Sequence, residues 1–590
     1  MVPGGRGSLR WMLLALPLLV LLLPQAAAVP SIPYDLAPQP PGHAPPQDQQ
    51  TEQPQLAQRD WIGDAHLLVL LIQFPDYPAD SDHDVAYYEE LLFAREAGSM
   101  WDFFDENSYG QFNISGTVVP QWLNASENMS CYGEYEFQNS EAQGNAQTLV
   151  REAVALAQPF VNFSHFDRDG DGNLDHLIIV HSGPTDESNG GGGPAGDDAI
   201  WSHRWAISAE YRNGTRISGY AMQGEGTPMG VFGHEFGHDL GLPDLYDTSG
   251  NTGGAENSTG FWSLMSQSRG TAKKDKGIGD RPMPFGAWEK FQLGWLDYDV
   301  ARAGRSSKHW IRPGQSTKGK EHNALMVLLP DKEVTTELGD PCATCGDAYY
   351  YSGSGNDLDH AMTRGVDGGG ELSAKARWTI EDGWDYAFLQ ATTDGETWED
   401  VPTDQSYEGS DEGGANPDGT GISGSSGGWV DLTATVPAEA VGIRFRYLTD
   451  AAVALPGFQV DEITLDGTPV GSAEGGADGW SLDGFTTTTG TMVSEHVNAY
   501  IVDNRQYVGR DRLLKHVYHF GDVAENPDHV DFYRQGEGAL ITYMDTSYTD
   551  NNVGDHPGGG MALPVDANPM FVHTPDGDLA RPRTSSFDAA

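Results

Sequence analysis

Cysteine is scarce in this chain, with three in 590 residues, at positions 131, 342 and 345. So few exclude a disulfide-framed fold. They also argue against a cysteine-rich zinc site, which needs a second pair or histidines at set spacing. In an exported chain the lone C-x-x-C of Cys342 and Cys345 reads as a local disulfide. Basic residues are scarce as well: 34 Lys and Arg stand against 86 Asp and Glu, a formal charge of −52. That balance excludes a nucleic-acid partner, which would need a basic footprint. It suits an extracellular protein that binds divalent cations, or one that lives in high salt. Long apolar runs are absent beyond the N-terminus. There, Trp11 to Leu23 follows Arg6 and Arg10 and precedes Ala26, Ala27 and Ala28. The run falls short of the ~20 residues needed to span a bilayer and has the layout of a secretory signal peptide. Residues 1–28 are therefore expected to be removed, leaving a secreted, extracellular chain with no stable membrane insertion.

Glycine, by contrast, is abundant at 74 residues, which predicts much loop and β structure. The length predicts several domains. Residues 29–60, with "APQPPGHAPPQDQQTEQPQ", cannot bury a core and read as a linker or short propeptide. "HLLVLLIQF" (His66 to Phe74) and "DHLIIVHSG" (Asp175 to Gly183) read as buried strands. Tyr87 to Glu96, Ala146 to Ala157, Gly230 to Leu240 and Phe285 to Leu293 read as helices. Beyond about Trp310, short β-branched and aromatic runs alternate with Gly, Asp and Ser turns, the texture of all-β domains. The expected division is 61–310, 311–470 and 471–590. Gly409 to Gly428 is expected as a surface loop, and the last boundary is set at the Gly-rich Gly471 to Gly479.

The chemistry concentrates in "VFGHEFGHDLGLPDLYD", Val231 to Asp247. His234 and His238 lie four apart, so on a helix they share one face and reach one metal ion. Glu235 can hold a water without itself occupying the metal. Gly241 lets the chain turn out of the helix, and the turn brings Asp244 back as a third, oxygen ligand. Three protein ligands leave a position open, as hydrolytic zinc requires. H-E-x-x-H alone arises by chance in a few per cent of such chains; requiring the Gly and Asp lowers this to roughly a few in ten thousand. Met265, in "GFWSLMSQS", has the setting of a methionine turn beneath such a site.

These stretches resemble the immune inhibitor A family of secreted zinc metallopeptidases. The similarity is carried by "HEFGHDLGLPDLYDT", "GFWSLMS", "FFDENSYGQFNISG", "DGDGNLDHLIIVHSG", "IWSHRW" and "AWEKFQLGW", and downstream by "YYYSGSGNDLDHAMTR", "GISGSSGGWVDLT" and "YTDNNVGDHPGGGMALPVDANP". The resemblance implies an α+β zincin or metzincin-like protease domain, then a MAM-like jelly-roll sandwich, then a second β-domain that "RPRTSSFDAA" leaves open-ended. It implies His234, His238 and Asp244 as zinc ligands, Glu235 as the catalytic residue and Met265 as the structural methionine turn. The implied activity is hydrolysis of peptide bonds in extracellular proteins by a zinc-activated water, with Glu235 as general base and protein or peptide substrates. The pro-region contains no cysteine, which excludes a cysteine-to-zinc latency switch.

A second cation site is expected in "FDRDGDGNLD". There Asp167, Asp169, Asp171 and Asp175 are spaced like the opening of a calcium loop, although Ile178 stands where an EF-hand carries its twelfth-position Glu. An acidic Gly-rich turn without an ion is the competing reading. The acidic loops Asn356 to Asp359 and Asp545 to Asn552 pose the same choice. His203 reads equally as an oxyanion helper or as a structural histidine. The rival function is a surface- or glycan-binding protein with a vestigial zinc site; the unbroken H-E-x-x-H-x-x-G-x-x-D weighs against it.

Overall fold

An almost unbroken apolar strand must be covered on both faces, and here it lies inside a largely parallel sheet. β1 (Gly63–Gln73) has Leu67 to Ile72 wholly buried. β2 (Phe112–Val118) and β4 (Leu177–His181) flank it in parallel, and β3 (Leu123–Asn124) pairs with its end. β5 (His203–Arg212) and β6 (Thr215–Gly224) form a hairpin in which β6 is parallel to β4 and β5 is the antiparallel edge. The structure is a computed structural model and describes residues 61–133, 146–185, 199–249, 251, 258–270, 279–355, 358–408, 420–449, 454–516, 534–568 and 586–588. The expected signal peptide and Pro/Gln-rich stretch lie outside the described residues, as do 409–419 of the expected Gly/Ser loop.

Six α-helices are described: α1 (Val85–Phe93), α2 (Met100–Asn107), α3 (Ser130–Gly133), α4 (Ala146–Ala157), α5 (Met229–Asp239) and α6 (Ala287–Gln292). α1 begins where the Asp84 carboxylate accepts from Tyr87 N–H, and α2 where Ser99 Oγ accepts from Asp102 N–H. α4 buries Leu149, Val150, Ala153, Val154 and Ala157, one stripe at helical spacing, and packs on β1 and β5. α5 packs on β6. Among the described residues no helix is long and apolar enough to cross a membrane.

After α6 the chain starts a second sheet with β7 (Tyr298–Arg302) and β8 (Ala324–Leu328). The partners that complete this sheet come from the far end of the sequence. Asn498–Arg505 pairs with β8 and with Gly538–Asp545, which also takes Ala562–Pro564. Ala499, Ile501, Met544 and Met561 share one core with the parallel sheet. The described parts of Pro54–Lys332 and Val497–Ala590 thus form one compact unit, and Glu333–His496 forms another.

A buried charge cluster lies within the first unit. Arg505, wholly buried, donates from Nε to Asp511 Oδ2 at 3.0 Å and from Nη1 to Asp503 Oδ2 at 3.4 Å, with its guanidinium 5.2 Å from the Trp262 ring. Beside this cluster on α6, Lys290 donates to Gln315 Oε1 at 2.9 Å and to Tyr109 Oη at 3.3 Å. Burial pushes its ammonium down to about 8.

The second unit is an antiparallel sandwich. One sheet orders Val430–Val436, Gly370–Thr379, Gly457–Leu465, Tyr349–Tyr351 and Thr486–Thr488; the other orders Glu399–Asp400, Tyr386–Thr392, Gly442–Leu448, Asp359–Gly365 and Ser481–Asp483. Leu372, Leu389, Ile443, Phe445, Phe458 and Val460 fill its core. The expected boundary at 471 falls inside this sandwich. Ser481–Asp483 and Thr486–Thr488 are strands of its two sheets, so Gly471 to Gly479 is a connection within a domain and not between domains. The expected disulfide between Cys342 and Cys345 is formed in this unit, and Cys131, in the other, is an exposed thiol.

Candidate metal centre

α5 carries the motif, and its ending aims the third candidate, Asp244. Gly241, at φ 91°, closes the helix as expected. Gly241 N–H donates to His238 O at 2.8 Å and Leu242 N–H to Gly237 O at 3.0 Å, the paired bonds of a Schellman cap. The chain therefore doubles back, and Asp244 returns to the histidines. His234 Nε2 and His238 Nε2 lie 3.2 Å apart, with Asp244 Oδ1 at 3.2 Å from the first and 3.6 Å from the second. All three residues are buried.

The second nitrogen of each ring decides what these distances mean. His234 Nδ1 faces Leu264 O at 2.9 Å and His238 Nδ1 faces Leu242 O at 2.7 Å. A carbonyl only accepts, so each Nδ1 carries a proton, and in the neutral ring each Nε2 is left with a lone pair to offer. Burial also drives His238 down to about 4, which keeps it neutral. Two imidazole nitrogens and a carboxylate oxygen thus converge, the arrangement of donors that a cation would need. Ligand bonds of about 2.0 Å at tetrahedral angles separate ligand atoms by roughly 3.3 Å. The donor set fits a small tetrahedral cation. Glu235 lies on the same helix, also buried, and is not one of the three converging groups.

Below α5 lies the segment that carries Met265. Leu264 O holds His234, and Met265 O accepts Leu245 N–H at 2.7 Å, one residue past Asp244. The close approach depends on Gly237, one helical turn beyond Gly233. A Cβ on Gly237 would stand 2.7 Å from Met265 Sδ, and one on Gly233 would stand 3.4 Å from the Leu264 side chain. Ser263 Oγ accepts Met265 N–H at 2.9 Å and donates to the buried Glu289 carboxylate of α6. Sequence reasoning missed these supports; the Gly233/Gly237 spacing was the one legible sign.

His203 donates from Nδ1 to Trp201 O at 2.7 Å, and its Nε2 meets the Tyr220 hydroxyl at 2.9 Å.

Of the candidate calcium ligands, Asp167, Asp169 and Asp175 come together with carboxylate oxygens within 4.8 Å of one another. Asp171 is directed elsewhere, accepting Asn173 N–H at 2.7 Å and Asn173 Nδ2 at 2.9 Å. Those bonds hold its carboxyl below the usual range. Gly170 and Gly172, at φ 79° and 90°, shape the turn. The carboxylates of the other acidic loops meet basic side chains. Asp359 forms a two-bond pair with Arg446, Asp545 meets Lys332 at 2.7 Å and Asp550 meets His556 at 2.6 Å, while 356–357 lie outside the described residues.

Comparison with known proteins gives three consecutive family matches. The catalytic-domain model of immune inhibitor A peptidase M6 matches residues 58–296, the immune inhibitor A-like MAM domain matches 313–490, and the immune inhibitor A-like metallopeptidase VEG domain matches 493–590. The chain is 31% identical to the pre-pro-metalloprotease PrtV of Vibrio cholerae serotype O1 over 89% of its own length and 61% of that relative, so it spans about six-tenths of PrtV. It is 29% identical to immune inhibitor A of Bacillus thuringiensis subsp. alesti, over 87% of this chain and 80% of that one. A solved structure, the K2 cleaved adhesin domain of Lys-gingipain, matches 26% of this chain and 96% of that one at 14% identity, with a TM-score of 0.14 that supports no argument.

Proposed function

Since the chain belongs to the immune inhibitor A family, we propose that it is a secreted zinc-dependent endopeptidase acting on extracellular proteins, with a metzincin-like catalytic domain. The observation that carries this reading is the convergence of two imidazole nitrogens and one carboxylate oxygen at 3.2 to 3.6 Å. His234, His238 and Asp244 hold the ion in it. Bound there, zinc supplies Lewis acidity, polarising a carbonyl oxygen and lowering the pKa of a water toward neutrality. The Leu264 and Leu242 carbonyls fix which nitrogen each histidine offers. Met265 supports the histidines from beneath through the glycine face of α5. Glu235 takes a proton from the attacking water and returns it to the departing amine. Digestion of casein is expected to stop in a strong chelator and return when zinc is restored. Undiminished digestion in chelator would remove the reading.

Calcium is the second proposed cation, held by Asp167, Asp169 and Asp175. At a hundredfold excess over its Kd, calcium is expected to raise the melting midpoint by roughly 5 to 10 °C, and to leave Asp169→Asn unmoved. A wild-type midpoint that ignores calcium at constant zinc would refute this site.

A further inference from the structure

Asp244 sits beyond the end of α5 on irregular backbone, where no helical ladder fixes it. What fixes the chain on its far side comes from the other end of the sequence. Asn551, wholly buried, donates from Nδ2 to Leu245 O at 3.3 Å, to Thr259 Oγ1 at 3.2 Å and to Ala562 O at 3.0 Å. Asn552 Oδ1 accepts Thr248 N–H at 2.8 Å and the Thr248 hydroxyl at 3.2 Å, across 304 positions of sequence. Gly554 N–H donates to Asp247 Oδ2 at 2.7 Å. The approach at Gly554 is backbone to backbone: a Cβ there would lie 1.3 Å from Asn251 O, so only glycine fits. Within a few residues of Asp244, then, Leu245, Asp247 and Thr248 are each bonded to the stretch 551–554.

We propose that Asn551, Asn552 and Gly554 are positioning residues for Asp244, so that the metal centre of the N-terminal domain is completed by the C-terminal β-domain. The inference rests on the zinc reading given above and adds to it a role for residues that carry no ligand atom. A loop ligand free to wander loses conformational entropy each time it binds, and affinity falls accordingly. A loop already bonded at Leu245 N–H by Met265 O, and beyond that by 551–554, has met that cost during folding. The VEG-like residues therefore act on the metal through the turn Leu245 to Thr248. Outer partners of metal ligands characteristically change affinity by about 10- to 100-fold when removed.

The test uses the full chain and zinc alone as probe, titrated against a chromogenic chelator. Asn552→Ala is expected to weaken zinc binding about tenfold. Asn552→Asp keeps the acceptor oxygen and is expected to stay within about twofold of wild type. The melting midpoint of the zinc-free protein, read in parallel, is expected to move by less than about 4 °C for both. A merely structural Asn552 would lower that midpoint and leave the zinc affinity unchanged, which would overturn the proposal. Equal losses in the Ala and Asp variants would overturn it too. Should Asn552→Ala fail to fold, Thr248→Val removes one of the two bonds from the protease side and is expected to cost about threefold in zinc affinity; wild-type affinity there overturns the proposal. Failure of the wild type to bind zinc would sink the zinc reading itself. Wild-type binding with unaffected variants sinks only the positioning role.

Discussion

Glu235→Ala is expected to keep one zinc per chain and to lower kcat/KM for peptide hydrolysis by about 10²- to 10⁴-fold, the range of a lost general base. The argument is geometric. The converging atoms belong to His234, His238 and Asp244, and the groups that orient them are the carbonyls of Leu264 and Leu242 and the Met265 turn. Glu235 supplies none of the three converging atoms. Truncating it leaves the donor set intact and removes the group that would carry the proton. The zinc content measured alongside activity separates the two roles: loss of both together would make Glu235 a determinant of the metal site, and retention of activity within about tenfold would end its assignment as base.

Arg505→Met is expected to destabilise the first unit by about 3 to 5 kcal/mol, read as a shift of its urea midpoint at constant slope. Arg505 and Asp511 are both wholly buried, and Asp503 is nearly so. Burial pushes both carboxyls upward and Arg505 opposes that shift, so removing the guanidinium strands two acidic groups away from water. The effect reaches the catalytic half, because Arg505 stacks over Trp262, one residue before the Ser263 that supports Met265. The double variant Arg505→Met/Asp511→Leu is expected to recover part of the loss, since it removes most of the uncompensated charge. A loss below about 1 kcal/mol in the single variant would show that the cluster is solvated in solution and does not join the two ends of the chain.

The convergence of His234, His238 and Asp244 was legible because its information is local. The four-residue spacing of His234 and His238 and the stop at Gly241 specify a helix face and a turn, and both appear, the turn as a Schellman cap. β1, β4 and α4 were legible for the same reason, as unbroken or periodic apolar runs. The expected helix ending at Glu96 stops instead at Phe93, where the chain goes extended at Ala94. α2 was missed although "MWDFFDEN" places Met100, Phe103 and Phe104 at helical spacing and Ser99 supplies its cap. The β5–β6 hairpin was missed although Asn213-Gly214, at φ 53° and 89°, is a strong sign of a tight turn. The boundary at 471 failed because a Gly-rich turn looks the same within a sandwich as between domains. The bonds from Asn551 and Asn552 to the turn Leu245 to Thr248 could not be read at all. They join residues about 300 positions apart, with a separate compact unit intervening, and leave no periodic trace.

X-ray absorption at the zinc edge of the purified full chain, combined with its metal content, tests the central claim most directly. The expected result is one zinc per chain in a shell of nitrogen and oxygen with two imidazoles, no sulfur, and one protein oxygen lost in Asp244→Ala. A chain that folds without stoichiometric zinc, or a shell lacking the two imidazoles, would contradict it.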